Sequence, residues 1–247
     1  ILIWQVVYSV NVDALGIWKS YSFPSPAGVL VSFERLILKG TLVSAVAISL
    51  ERLIIGYILS VVLGGIIGVA LARFKLIRES YSSFFLGIQA LPSICWIPFA
   101  ILWFGISEQT ILFVVMLGAT AAVALGTEAG IRNVNPIYIK AGRNLGASGV
   151  GLYRHVILPA AIPQLLVGMK QGWSFAFRGL MAGEMLAASK GIGQVLMAGR
   201  EMADINQVAA VIIVIIGIGL AIDQLIFGRL EIKTRKRFLL FENIIQI

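Results

Sequence analysis

Four polar side chains inside one long apolar stretch are the residues best placed to do chemistry in this sequence. Between positions 160 and 188 stand Lys170, Gln171, Arg178 and Glu184, among Leu, Ala, Met, Phe and Gly. Gln171 and Arg178 are seven positions apart, so on a helix turning about 100° per residue they project within about 20° of each other. Ser174 and Phe175 fall between them on the same side. A guanidinium in that setting offers a planar donor fork to an anionic group. The other reading is an ion pair with Glu184 or with a carboxylate on a neighbouring helix, because charges inside a span commonly pair with one another. Glu184 lies about 240° round the helix from Arg178, a poor position for a pair on the same helix. It reads equally as a structural group near the outer surface and as a gate residue. Trp173, Phe175 and Phe177 can line a path, although aromatic residues in such a helix more often pack or face lipid.

Little else is arranged for catalysis. His155 is the single histidine, and with no second histidine or nearby cysteine it cannot build a metal site. Cys95 stands alone in an apolar run, which excludes a disulfide framework and makes packing its simplest role. No Gly-x4-Gly-Lys-Ser/Thr phosphate loop occurs and the dipeptide Gly-Lys is absent. ATP therefore does not bind through that motif, and any energy input comes from another subunit. A membrane-embedded enzyme would need clustered His, Cys or carboxylates near the membrane surface, and none are so clustered. No catalytic residue and no metal ligand is assigned.

Composition decides what positions these side chains. The 247 residues are 59% hydrophobic and 13% charged, with a mean hydropathy of +0.94. An ordinary soluble domain is about 45–50% apolar and about 25% charged. A soluble core of this size cannot hide so much apolar surface, whereas lipid solvates it. The expected fold is all-α and polytopic.

The clearest span is 53–72, twenty charge-free residues, the length a bilayer demands. Gly56, Ser60, Gly64 and Gly68 recur at every fourth position, a small-residue stripe of the kind that lets helix backbones approach in lipid. The pattern extends upstream towards Thr41 across Glu51 and Arg52, so this helix begins earlier or follows an interfacial one. A second span, 84–106, is broken by Pro92 and Pro98, where a kink is expected. Further spans cover 110–126, 160–188 and 206–227, the last ending near Asp223. Residues 1–10 reach only about 15 Å as helix, half of a ~30 Å hydrocarbon core, so a longer first span with its own cytoplasmic leader is expected. Six crossings result, in a single transmembrane domain over 1–247, with no inserted soluble domain and no fixed-period repeat.

With a cytoplasmic N-terminus, 12 of the 20 Lys and Arg residues fall on the inner side and 6 on the outer, Arg52 among the latter, with Lys170 and Arg178 inside a span. That bias predicts both termini inside. The tail cluster Lys233, Arg235, Lys236 and Arg237 reads as a solvated stop-transfer run, open to anionic lipid but requiring no special partner.

The inner loop 128–159 has helical punctuation. Asn135 and Pro136 suit a helix start. Ile137, Ala141 and Leu145 share one face, with Lys140, Arg143 and Asn144 on others. Gly146 suits the left-handed residue that ends a helix. Ser148 is placed to cap a second short helix, 149–156, and Pro159 to start the next span. Periodicity alone makes this an amphipathic interfacial hairpin.

The residues carry more. Lys140-Ala-Gly-Arg-Asn-Leu-Gly146, nine residues, then Val156-Ile-Leu-Pro159 resembles the signature of ABC importer permeases: Glu-Ala-Ala, three residues, Gly, nine residues, Ile-x-Leu-Pro. Lys140 replaces Glu, Gly142 the second Ala, and Val156 the Ile. Pro24-Ser-Pro26, Ser49-Leu-Glu-Arg52, Ile97-Pro98 with Trp103-Phe-Gly105, and Gly183-Glu-Met185 followed by Gly191-Ile-Gly193 look like the nitrate/sulfonate/taurine/bicarbonate branch. The resemblance implies that the hairpin is a coupling helix seated in a groove of a cytoplasmic ATPase. Lys140, Ala141, Gly142, Gly146, Val156, Leu158 and Pro159 would then carry the coupling, and His155 would lie on its surface.

It further implies a bacterial inner-membrane importer of a small anion. Its partners would be ATPase subunits holding ATP and Mg²⁺, a second permease (the same chain or a paralogue), an extracytoplasmic solute-binding protein and the lipid bilayer. This chain itself would bind no cofactor and no nucleic acid. Gln171, Ser174, Phe175, Arg178 and Glu184 are the candidates for the substrate path. The alternatives are a permease for a neutral vitamin or precursor and, from other classes, a channel or membrane-embedded enzyme. A channel needs no docking loop.

Overall fold

The computed structural model describes residues 2–19, 21–187, 189–234 and 236, and every regular element among them is helical. In chain order these are α1 (Leu2–Tyr8), α2 (Pro26–Leu38), α3 (Thr41–Arg73), α4 (Lys75–Ala90), α5 (Ile97–Phe104), α6 (Glu108–Arg132), α7 (Pro136–Asn144), α8 (Gly149–Leu152), α9 (Leu158–Leu186), α10 (Ile192–Glu201) and α11 (Ile205–Ile222).

Four stretches are long and apolar enough to cross a membrane: Thr41–Arg73, Glu108–Arg132, Gly149–Leu186 and Ile205–Thr234. The fifth expected span is broken. The pair α4 and Ser93–Phe104 bends by 100° at Leu91 and Pro92. Pro98 sits in the first turn of α5, where its missing N–H costs nothing, so only Pro92 marks the bend. The segment read as a partial first span is the short apolar helix Leu2–Val12. Ile1, Ala188, Arg235 and Arg237 lie outside the described residues.

The first full span begins at Thr41, not at residue 53, and carries Glu51 and Arg52 within it. Arg52 is therefore no outer-loop charge: it is 6% exposed inside the bundle. Gly56, Ser60, Gly64 and Gly68 are all buried, and they face α6. A Cβ on Gly64 would stand 2.7 Å from the Thr120 carbonyl oxygen, so the two backbones are in direct contact. The other side of α6 meets α9 as closely, since a Cβ on Gly168 would lie 2.7 Å from Gly126 Cα. Between these crossings Leu53, Ile111, Val115, Ala119, Ala176 and Leu180 form the central core.

A second cluster joins α2, α3, α10 and α11 through Leu36, Leu42, Ala45, Ile192, Val195 and Val211. The last span runs past Asp223 to Thr234. Asp223 and Glu231 on it receive Lys170 at 3.1 and 3.3 Å, which accounts for a charge that periodicity had left without a partner.

Gly168→Leu is expected to force the α6–α9 crossing apart, at a cost of about 3 kcal/mol or more, the upper end for overpacking. Thermal unfolding of the detergent-solubilised protein measures this. Gly65→Ala, where an added Cβ meets nothing within 4 Å, should leave the midpoint unchanged.

Candidate functional site

The hairpin between α6 and α9 closes as its residue types require. The Asn135 side chain accepts from the Ile137 N–H at 3.0 Å, and Pro136 opens α7. Gly146 takes φ +86°, a left-handed value that side-chain-bearing residues resist. Its N–H donates to the Arg143 carbonyl and the Ala147 N–H donates to that of Gly142, both at 2.9 Å, the paired bonds of a Schellman C-cap. Ser148 precedes α8, but its side chain makes no capping hydrogen bond. Nor does Pro159 begin a separate helix. The chain runs as one helical span from Gly149 to Leu186, widened to a π-turn over Tyr153–Ile157. Pro159 leaves the carbonyl four residues back without a donor there.

The buried seam of the hairpin is Gly142. A Cβ there would stand 2.8 Å from Val156 Cγ2 and 3.1 Å from Leu152 Cδ1, so α7 lies directly on the second arm. Two departures from the family signature, Gly142 and Val156, thus touch each other. Ile131, Val134, Leu152, Ile157 and Ala161 anchor the base of the hairpin. Ile137 and Leu145 point outward, 67% and 88% exposed, and Lys140, Ala141 and Arg143 are exposed with them. Leu158 is partly exposed and Pro159 half-buried. His155 is exposed, its Nδ1 3.1 Å from the Gly151 carbonyl oxygen.

At the opposite end of α9, Glu184 is 0% exposed. Ser49 Oγ donates to its carboxylate at 2.7 and 2.8 Å, the Gly193 N–H at 3.0 Å and Arg52 Nη1 at 3.1 Å. Ser49 Oγ in turn accepts from the Ile192 N–H at 2.9 Å. Arg52 also binds Glu108, the Lys190 carbonyl and Ser189 Oγ. Glu184 is thus neither at the surface nor paired with Arg178; its counter-ion is Arg52. Sequence reasoning missed Ser49 and Arg52 as its partners. The signal was present: Arg52 and Ser49 extend the stripe of Gly56 and Ser60 by one turn and two turns towards the start of α3, onto the same buried face.

Arg178 occupies a different environment. It is exposed, its Nη2 donates to Ser174 Oγ at 3.0 Å, and its guanidinium lies 5.3 Å from the Phe175 ring centre. Among the described residues no carboxylate comes within ion-pair distance. Arg178 and Phe175 line a cleft of about 390 Å³ whose other wall is the break between α4 and α5. Gln171 is exposed but outside this cleft. Trp173 packs edge-on against Tyr57 at 5.0 Å, and Phe177 rests on the central core, so of the three aromatic residues only Phe175 reaches the cleft.

Outside the spans, α2 is tied to the start of α11 by Arg35 and Asp204 at 2.6 Å, and Asn206 Oδ1 accepts from the Ser25 N–H at 2.9 Å. Partial burial pushes the Asp204 carboxyl up. Its hydrogen bonds from Arg35 and the backbone outweigh that and hold it below its ordinary value.

Residues 60–230 match the family described as "Binding-protein-dependent transport system inner membrane component". The chain is 33% identical to the aliphatic sulfonates transport permease protein SsuC of Bacillus subtilis (strain 168), over 92% of this chain and 80% of that protein. It is 29% identical to the taurine transport system permease protein TauC of Escherichia coli (strain K12), over 79% and 68%. Among solved structures, the MetNI methionine ABC transporter in inward-facing conformations superposes with a TM-score of 0.64 at 22% identity, covering 78% of this chain and 95% of that one.

Glu184→Ala is expected to destabilise the protein by about 3 kcal/mol, the low end for breaking a buried pair, because Glu108 still holds Arg52. Thermal unfolding reads the loss, and Glu184→Gln, which keeps acceptors for Ser49 and Gly193, should lose less. The Asp204 carboxyl has a lowered folded-state pKa, so its contribution is complete above the ordinary carboxylate value and is lost as pH falls through the folded one. Protection of the α2 amides, taken relative to the intrinsic exchange rate at each pH, should fall on acidification below about pH 4, and Asp204→Asn should remove that dependence.

Proposed function

Because the chain belongs to the family of binding-protein-dependent transport system inner membrane components, we propose that it admits a small oxyanion of the sulfonate kind, with its hairpin as the contact through which a separate ATPase drives it. It is a transport permease subunit of an ABC importer, not an enzyme. Its several apolar spans make it a multi-pass inner-membrane protein.

The observation that carries the coupling reading is the hairpin itself. Ile137, Ala141 and Leu145 form an apolar face that none of the described residues covers, while the Gly146 turn and the Gly142–Val156 seam fix its shape. In this reading the hairpin, and both termini, lie in the cytoplasm, and the whole chain acts as one transmembrane domain. Lys140 sits on the rim of the docking surface, and Val156, Leu158 and Pro159 join it to the long span. ATP and Mg²⁺ belong to the ATPase subunits, a second permease completes the pathway, and an extracytoplasmic binding protein delivers the solute. A ligand or partner shifts a conformational equilibrium only by its differential affinity for the two states. ATPase closure therefore acts by favouring one tilt of the hairpin, and α8 and α9, being one continuous helix, carry that tilt into the membrane. The sulfonate assignment follows the similarity to SsuC and TauC.

Leu145→Asp tests the docking reading, since Leu145 is 88% exposed and its loss leaves the fold intact. The expected result is an unchanged unfolding midpoint, loss of co-purification with the ATPase, and ATP-driven uptake into proteoliposomes reduced at least about tenfold, as for a central interface residue worth more than about 1.4 kcal/mol. Full association and uptake in both Leu145→Asp and Gly146→Val would sink it.

A further inference from the structure

The three basic side chains lying farthest from the span ends, Arg52, Lys170 and Arg178, are neutralised differently. Arg52 has Glu108 and Glu184, and Lys170 has Asp223 and Glu231. Arg178, roughly 12 Å before α9 ends at Leu186, has among the described residues only a serine hydroxyl and an aromatic face. A charge at that depth is costly unless a partner or a polar cavity receives it.

The surface facing Arg178 is irregular. Opposite it the span bends by 100°, and the bend brings Gln89, Leu91, Ser93 and Ile94 to the cleft. Non-helical backbone at membrane depth is tolerated where it lines a cavity, and broken helices are the usual makers of solute sites in transporters. Among the described residues, neither the Ser93 hydroxyl nor the Gln89 amide makes a side-chain hydrogen bond. Both Ser93 Oγ and Phe175 Cβ lie close to Gly118 of α6, at 3.3 and 3.6 Å from where its Cβ would be, so the two walls are held in fixed relation by the central helix.

We propose that this cleft holds the transported solute during passage, and that the solute is a sulfonate with a short apolar tail. This rests on the importer reading above. Arg178 would receive two sulfonate oxygens through its planar fork, and the Ser93 hydroxyl and Gln89 amide supply donors for the third. The rest of the lining is apolar, from Leu91, Pro92, Ile94 and Ala182, and suits an alkyl chain. Among the described residues no carboxylate lines the cleft, so the ammonium group of an aminosulfonate finds no counter-charge from them. Nitrate and bicarbonate satisfy the donors but leave the apolar wall unfilled. At about 390 Å³ the space is at the small end for ligand sites, which matches a solute of few heavy atoms.

The test is equilibrium binding of radiolabelled butanesulfonate to the purified permease–ATPase complex without binding protein, with taurine and nitrate as competitors. Butanesulfonate is expected to bind saturably and to be displaced poorly by taurine or nitrate. Arg178→Gln should weaken binding at least about tenfold, the loss of a charge-assisted bidentate pair. Arg178→Lys should recover part of it, since it keeps the charge without the fork. Ser93→Ala should weaken binding several-fold, and it keeps the proposal testable if Arg178 variants fail to assemble. Absent binding in the wild type, or affinity unchanged in both Arg178→Gln and Ser93→Ala, overturns the site, and equal displacement by taurine overturns the apolar-tail assignment. ATP-driven uptake by the same complex, reconstituted in proteoliposomes and supplied with its binding protein, separates the two readings. If uptake persists without binding here, only the cleft proposal falls; if uptake is also absent, the importer reading falls with it.

Discussion

Helices surrounded by lipid gain nothing by hiding apolar side chains from water, because the lipid tails already do so. What holds this bundle together is close approach. The small residues of α3 and α9 let α6 touch both neighbours backbone to backbone, at Gly64 and at Gly126 with Gly168. Dispersion contacts, each weak, accumulate along such seams. The position of every site described here is referred to α6. Glu108 at its start contacts Arg52, Gly118 spaces the two walls of the Arg178 cleft, and Ile131 near its end anchors the hairpin.

The second constraint is the cost of charge. Arg52 and Glu184 are affordable inside the bundle because nearly every donor and acceptor they carry is met, by Ser49, the Gly193 N–H, Glu108 and the Lys190 carbonyl. Such a pair is not a strong source of net stability, but removing one member leaves a buried charge uncompensated. It therefore acts as a fastening that ties the loop after α9 to α3. The fastening is at one end of α9 and the hairpin at the other, with the cleft between them. One continuous helical span from Gly149 to Leu186 links all three.

Much of this was legible in order along the chain. The length of each apolar stretch, the stripe from Gly56 to Gly68, the bend near Pro92 and the Asn135–Gly146 helix all follow from local rules, in which a residue's type constrains its own turn or its own face. The errors were also local in origin. Counting Arg52 as a loop charge followed from treating charge as a span boundary, although the periodicity that made Gly56 and Ser60 inward-facing already included it. Treating Pro159 as a helix start overlooked a π-turn, which lets a helix absorb a missing donor and continue.

The amino-acid sequence by itself determined that this is a membrane-spanning helical protein with an interrupted span and an amphipathic hairpin, because hydropathy, helical period and turn chemistry act over a few residues. Only the tertiary structure decided which charges meet. Ser49, Arg52, Glu108 and Glu184 are separated by up to 135 positions, and no period relates the α3 pair to the two carboxylates. Their encounter depends on how deeply glycine seams let three helices approach and in what rotation. The same geometry left Arg178, among the described residues, without a carboxylate and set it against the broken span.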